Sequence, residues 1–153
     1  MVHTHSRLPA GITLLSVLIL GAVPLLAQRG GRGGAEEAQL SELQVAIAQP
    51  DAKPAVWLQY GQKLQSVGRY AQAALAYRRF LENDPYDRQA RLQCANCLVK
   101  VGDKDEFFVF MQSTLASDPK LTLEVLTRPD VQGYLAEGRF QSLHKESIAQ
   151  SMD

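Results

Sequence analysis

Apolar positions recur at helical spacing through most of the chain beyond residue 34, and the stretch from Pro54 to Asp87 shows the pattern most completely. Trp57, Tyr60, Gly61 and Leu64 fall on one face of a first helix, and Ala73, Tyr77 and Phe80 on one face of a second. Gly68 lies between them and Asp84-Pro85 closes the unit, which predicts a helical hairpin. Upstream, Leu40, Leu43 and Ile47 predict a helix from near Ala35 to Gln49, with Glu36 and Glu37 at its positive end and Pro50-Asp51 stopping it. Thirty-four residues after the first hairpin the pattern returns: Gly68 maps to Gly102, Asp84-Pro85 to Asp118-Pro119, Gly61 to Ala95, Leu64 to Leu98 and Leu81 to Leu115. Gly102 suits a left-handed helix end, Asp103 a cap, and Asp105 and Glu106 the following first turn. After Pro119 the register fails, because Arg128-Pro129 would fall inside the next first helix. Shorter helices are expected over 121–127, over 130–135 with Asp130 as cap, and over 139–150. Their apolar residues, Leu123, Leu126, Val131, Tyr134, Leu135, Phe140, Leu143 and Ile148, suffice to close the open end and cover the helix carrying Phe107.

The first hairpin resembles the tetratricopeptide repeat. Trp57, Gly61, Ala73 and Pro85 meet that family's pattern, with Tyr77 for the aromatic and Tyr60 and Leu64 as apolar stand-ins; Gly68 and Tyr70 also match, and Phe80 is too large. The second unit departs from it, with Arg91 for the aromatic and Phe107 and Thr114 for small alanines, so altered packing angles are expected there. The resemblance implies an all-α fold: a short solenoid of about two repeats with flanking capping helices, behind an N-terminal hydrophobic helix. The resulting partition is 1–27 signal peptide or membrane anchor, 28–34 flexible linker, 35–53 capping helix, 54–87 first repeat, 88–121 divergent second repeat and 122–153 C-terminal capping helices.

Members of the family usually hold an extended peptide or a partner helix on the concave surface formed by each unit's first helix. Carried over by position, that surface presents Ala55, Leu58, Gln62, Gln65 and Ser66 from the first unit and Gln89, Leu92, Asn96, Val99 and Lys100 from the second. It lacks the Lys, Asn and Arg set with which some members clamp a C-terminal carboxylate. The resemblance thus implies a non-catalytic adaptor whose partner is another protein, with no cofactor, metal or small-molecule substrate.

Residues Leu8 to Ala27 carry no charge, and Arg7 precedes them while Arg29 and Arg32 follow. The run fits an export signal with an apolar middle from Ile12 to Val23 and a cut after Ala27, although Leu25 is a poor residue three positions before such a cut. Uncut, it is long enough to span a bilayer core of about 30 Å. Either way the chain is expected to be exported across, or anchored in, a bacterial inner membrane with its folded part in the periplasm, and membrane association through 8–27 follows from the second case. Gln28 to Gly34, read as QRGGRGG, is expected to be a flexible spacer.

Charge is balanced at 16 basic and 16 acidic residues, which leaves no electrostatic footprint for nucleic acid. Phe107 to Met111 is an apolar run longer than one helix face needs, so Val109 and Phe110 form an apolar patch to be covered by the C-terminal segment or by a partner. Cys94-Ala95-Asn96-Cys97 is a CxxC, but the repeat register places it well inside a helix, whereas a redox pair sits at a helix start. Two small core residues and a thiol redox pair both stand as readings, the first favoured. His144 is isolated in sequence, leaving the cysteines without further metal ligands. The functional alternatives to an adaptor are a structural accessory subunit of a membrane complex, with an uncleaved N-terminal helix, and a thiol redox protein using Cys94 and Cys97.

Overall fold

The computed structural model describes residues 33–152, and the apolar run 8–27 with most of the QRGGRGG spacer lies outside them. The described residues form seven α-helices and one 3₁₀ helix, with no strand. The α-helices are α1 (Gly33–Ile47), α2 (Pro54–Ser66), α3 (Tyr70–Leu81), α4 (Arg88–Val101), α5 (Lys104–Leu115), α6 (Pro119–Leu126) and α7 (Gly138–Ser151), and the 3₁₀ helix spans Gln132–Ala136. Among the described residues no helix is long and apolar enough to cross a membrane.

Local chemistry sets the helix ends. Pro54 stands in the first turn of α2, where its missing N–H costs nothing. Gly68 turns the chain into α3 with φ +78°, and the Arg69 amide then donates to Leu64 O at 2.9 Å, a left-handed cap. Gly102 repeats the move at φ +79°. Asp87, Asp103 and Asp118 each accept backbone N–H groups at the starts of α4, α5 and α6. Gly33 and Gly34, expected in the spacer, instead make the first turn of α1, ahead of the Ala35 start that the apolar pattern suggests.

α3 packs most extensively, between α2 and α4. Ala73, Ala74 and Ala76 let it approach closely, and Tyr77 and Phe80 fill the space between. Gly61 faces the Tyr77 ring so tightly that a Cβ there would lie 3.2 Å from it. Trp57 is only partly buried, against the edge of the core rather than within it. α4 and α5 meet less closely than α2 and α3, since Phe107 occupies the position that Ala73 holds in the first hairpin. Arg91, in the aromatic's place, donates through Nε to Pro85 O at 2.6 Å and through Nη1 to Ser117 Oγ, tying together the loops that close the two hairpins.

The C-terminal elements close the array around aromatic rings. Phe107 lies 5.3 Å from Tyr134 and 5.9 Å from Phe140, and Phe108 meets Phe140 edge-on at 5.4 Å. The Arg139 guanidinium stacks on Phe108 and Phe140 while pairing with Asp105 at 2.6 Å. Three details differ from the sequence expectation. The C-terminal segment covers Phe107 and Phe108 but leaves Val109 64% exposed and Phe110 half-buried, because those two point toward the α3 side of α5, away from α7. Asp130 caps nothing and pairs with Arg128 at 2.6 Å, while Val131 precedes the 3₁₀ helix. Ile148 stays 39% exposed, and Ser147 takes the buried position beside it on α7.

Candidate functional site

α2, α4 and α6 share one face of the molecule, and two adjoining hollows run across it. The first, about 440 Å³, is lined by Leu58, Gln62 and Gln65 of α2 and by Gln89, Ala90 and Gln93 of α4, with Tyr77 beneath. The second, about 550 Å³, begins at the same Gln65 and continues past Leu92, Asn96 and Lys100 to Glu124 of α6, with Arg128 beyond it. Of the ten residues named from the repeat register, Leu58, Gln62, Gln65, Ser66, Gln89, Leu92, Asn96 and Lys100 line these two hollows, which meet at Gln65, and Ala55 and Val99 line neither.

A chain of side-chain hydrogen bonds forms the groove floor. The Tyr77 hydroxyl donates to Gln65 Oε1 at 2.6 Å, and Gln65 Nε2 donates to Gln93 Oε1 at 2.8 Å. Asn96 Nδ2 also donates to Gln93 Oε1, at 3.4 Å, and Arg128 Nη1 donates to Asn96 Oδ1. Burial, reinforced by the neighbouring thiols of Cys97 and Cys94, pushes the Tyr77 hydroxyl well above its ordinary value, so it remains a donor. Arg128 is held in turn by Asp130, whose carboxyl is kept low mainly by the hydrogen bond from that guanidinium. The hollow does bring Lys100, Asn96 and Arg128 together, with the Arg128 charge paired to Asp130 and three of its five N–H groups engaged by Asp130 and Asn96.

The sequence reading missed Gln93, Tyr77 and the whole contribution of α6. Gln93 was within reach, since it lies four residues after Gln89 and three before Asn96, on the same helix face. α6 was not, because it begins on Pro119 itself, where the repeat register breaks down.

Elsewhere, Val109 and Phe110 of α5 lie beside a smaller hollow of about 280 Å³, where the Arg78 guanidinium sits 5.8 Å from the Phe110 ring. A further hollow of about 500 Å³ lies between α2 and α3 at Trp57, Tyr60 and Leu75. Cys94 and Cys97 are both free thiols and fully buried in α4. Cys94 Sγ lies 3.6 Å from Ala74 O, its hydrogen-bond acceptor. Burial pushes the Cys94 thiol up to about 12 and the Cys97 thiol up to about 11, so neither supplies a thiolate at neutral pH.

No curated protein matches the chain. Residues 54–97 match the family model described as tetratricopeptide repeat, a stretch that takes in α2, α3 and α4 as far as Cys97. Over that stretch, with its Gly61–Tyr77 contact, its left-handed turn at Gly68 and its alanine-lined α3, the chain is similar to the tetratricopeptide repeat.

Proposed function

We propose that the chain is a non-catalytic adaptor that holds an extended segment of a partner protein in the groove across α2, α4 and α6. Tetratricopeptide repeats are protein-interaction modules, and the observation that carries the reading here is the continuity of the groove. Apolar walls at Leu58 and Leu92 flank a floor of amides, which suits side chains and backbone of a bound segment together. The units 54–87 and 88–121 supply most of this surface, 122–153 adds Glu124 and Arg128 at its far end, and 35–53 caps the other end of the array. The apolar run 8–27 supports an exported or inner-membrane-anchored protein whose folded part works in the periplasm, holding or assembling a larger complex. A permanent accessory subunit differs only in keeping that run uncleaved, and a mature chain beginning at Gln28 would exclude it. The buried, proton-retaining thiols weigh against the redox reading.

The test is to isolate the full-length protein from its own cells in mild detergent and identify what remains bound in near-equal amount. A partner retained by the parent and lost from Leu92→Arg is the expected result. A partner retained equally by both would remove the groove from the account.

A further inference from the structure

The 34-residue register allows one hairpin to be laid on the other. Arg91 then corresponds to Trp57 and Cys94 to Tyr60. In the second hairpin α3 lies across these positions: Arg91 is buried, and Cys94 is fully enclosed with its Sγ 3.6 Å from Ala74 O. In the first hairpin they stand open. Trp57 and Tyr60 are half-buried and border the hollow of about 500 Å³, whose lining comes from α2 and α3 alone. α1, the helix before them, contributes nothing to it; α1 buries only Leu40 and is tied through Glu37 to Arg69, at the start of α3, at 2.8 Å. The hollow is thus the place where the second hairpin receives a helix and the first receives none.

The side of α3 that borders this slot carries Gln72, Leu75, Arg79 and Glu82, spaced three and four apart as a helix-to-helix seam is. Leu75 is 58% exposed, a large apolar side chain at the rim of an apolar hollow. A knob beside such a hole is complementary to itself, because a two-fold axis across the seam seats each knob in the other copy's hole. Gly61 faces the Tyr77 ring, which sets Trp57 and Tyr60 beside the last turns of α3. In an antiparallel crossing centred near Tyr77, Leu75 of one copy therefore comes level with Arg79 of the other, next to Trp57 and Tyr60, and Glu82 comes level with Gln72.

The charges fit the same crossing. The start of α3 is its positive end, with Arg69 before it and no acidic residue in its first turn, while Glu82 stands exposed at the other end of the seam. Reversing one seam on the other brings each Glu82 to the positive end of the opposite helix, twice by symmetry. A strongly charged partner finds no such match, since Arg79 is paired with Glu82 at 3.0 Å and Arg78 with Glu106 at 3.6 Å.

We infer that the slot is a self-association surface, in which two copies of this chain pack α3 against α3 in antiparallel fashion. The seam shares no residue with the groove across α2, α4 and α6, so the dimer presents two grooves and binds a partner with two segments more tightly than one copy does.

The test follows the mass of the full-length protein in mild detergent by sedimentation from about 1 to about 100 μM, the range that a small interface calls for. A reversible dimer is expected, with Leu75→Arg raising its dissociation constant at least about tenfold while the protein melts with the parent. Glu82→Lys and Gln72→Glu should each weaken the dimer and together restore it. The two positions lie about 15 Å apart along α3 and cannot meet within one chain, so the rescue reads a contact between antiparallel copies. A monomer at every concentration would overturn the inference, as would a dimer indifferent to Leu75→Arg, which would be held elsewhere, or one that Leu75→Arg abolishes but the paired charges do not rescue. A photoreactive residue at position 75 that captures, in the protein's own cells, a different chain and no second copy would assign the slot to another partner and overturn it too.

Discussion

At Cys94 and Cys97 burial decides the chemistry. Both thiols sit in the interior of α4, with folded-state values of about 12 and about 11 against an ordinary 9.0. The unfolded chain therefore releases these protons at lower pH than the folded chain does, so unfolding is favoured as pH rises between those values. Stability contributed by the neutral thiols is complete below about pH 9 and is lost as pH climbs toward the folded-state values, at up to about 1.4 kcal/mol per pH unit for each thiol. Tyr77 acts in the same direction at still higher pH. Melting temperature should be nearly flat from pH 6 to 8 and fall steeply above about 9, and Cys94→Ala with Cys97→Ala should make that fall shallower. An alkylation rate for native Cys94 that is already high at pH 7 would contradict the burial. A second residue-scale prediction concerns Gly61, whose missing side chain is the space the Tyr77 ring fills. Gly61→Val should cost about 1 to 3 kcal/mol by overpacking, measured by denaturant unfolding. The cysteines' place inside a helix and the small residue at 61 were legible in the sequence through the repeat register, whereas the contact of Gly61 with the Tyr77 ring emerges only from how α2 and α3 pack. The partial exposure of Trp57 was not, since periodicity assigns a helix face without saying how deeply the neighbours cover it.

Helix boundaries divide into those written in local chemistry and those set by packing. Gly68 and Gly102 take φ of +78° and +79° with open space around their Cα atoms, so alanine at either position meets strain and no clash. Gly68→Ala and Gly102→Ala should each destabilise by about 1 to 2 kcal/mol, the cost of a left-handed non-glycine residue, and chemical denaturation of the two variants checks it. A stabilised Gly102→Ala would show that α4 continues past its present end. Asp103 was readable as a cap for the same local reason, and its carboxylate accepts from Asp105 N and Glu106 N. Asp130 looked equally suited, but Arg128 two residues away captures its carboxylate, and a short 3₁₀ helix has little for a cap to satisfy. The divergence of the second hairpin was visible in Phe107 and Arg91, whereas the partners of Arg91, Pro85 O and Ser117 Oγ, depend on two loops meeting in space.

For the molecule as a whole, the array is closed at its C-terminal end by the rings of Phe107, Phe108, Tyr134 and Phe140. Phe140 is fully buried, so Phe140→Ala should cost about 3 to 5 kcal/mol and lower the melting temperature sharply, the loss of a whole ring from a packed core. That elements beyond residue 119 would cover α5 was legible in their apolar content; that α6 also extends the groove was not, because it arises from where the helix lies. The two faces of the solenoid now offer competing surfaces, the amide-floored groove and the Val109–Phe110 patch. Site-specific photo-cross-linking in the protein's own cells separates them most directly, with the photoreactive residue placed at Gln62 in one strain and at Val109 in another. The groove account predicts a discrete cross-linked partner from position 62 that disappears when Leu92→Arg is added, and none from position 109. A partner captured from position 109 alone would contradict it.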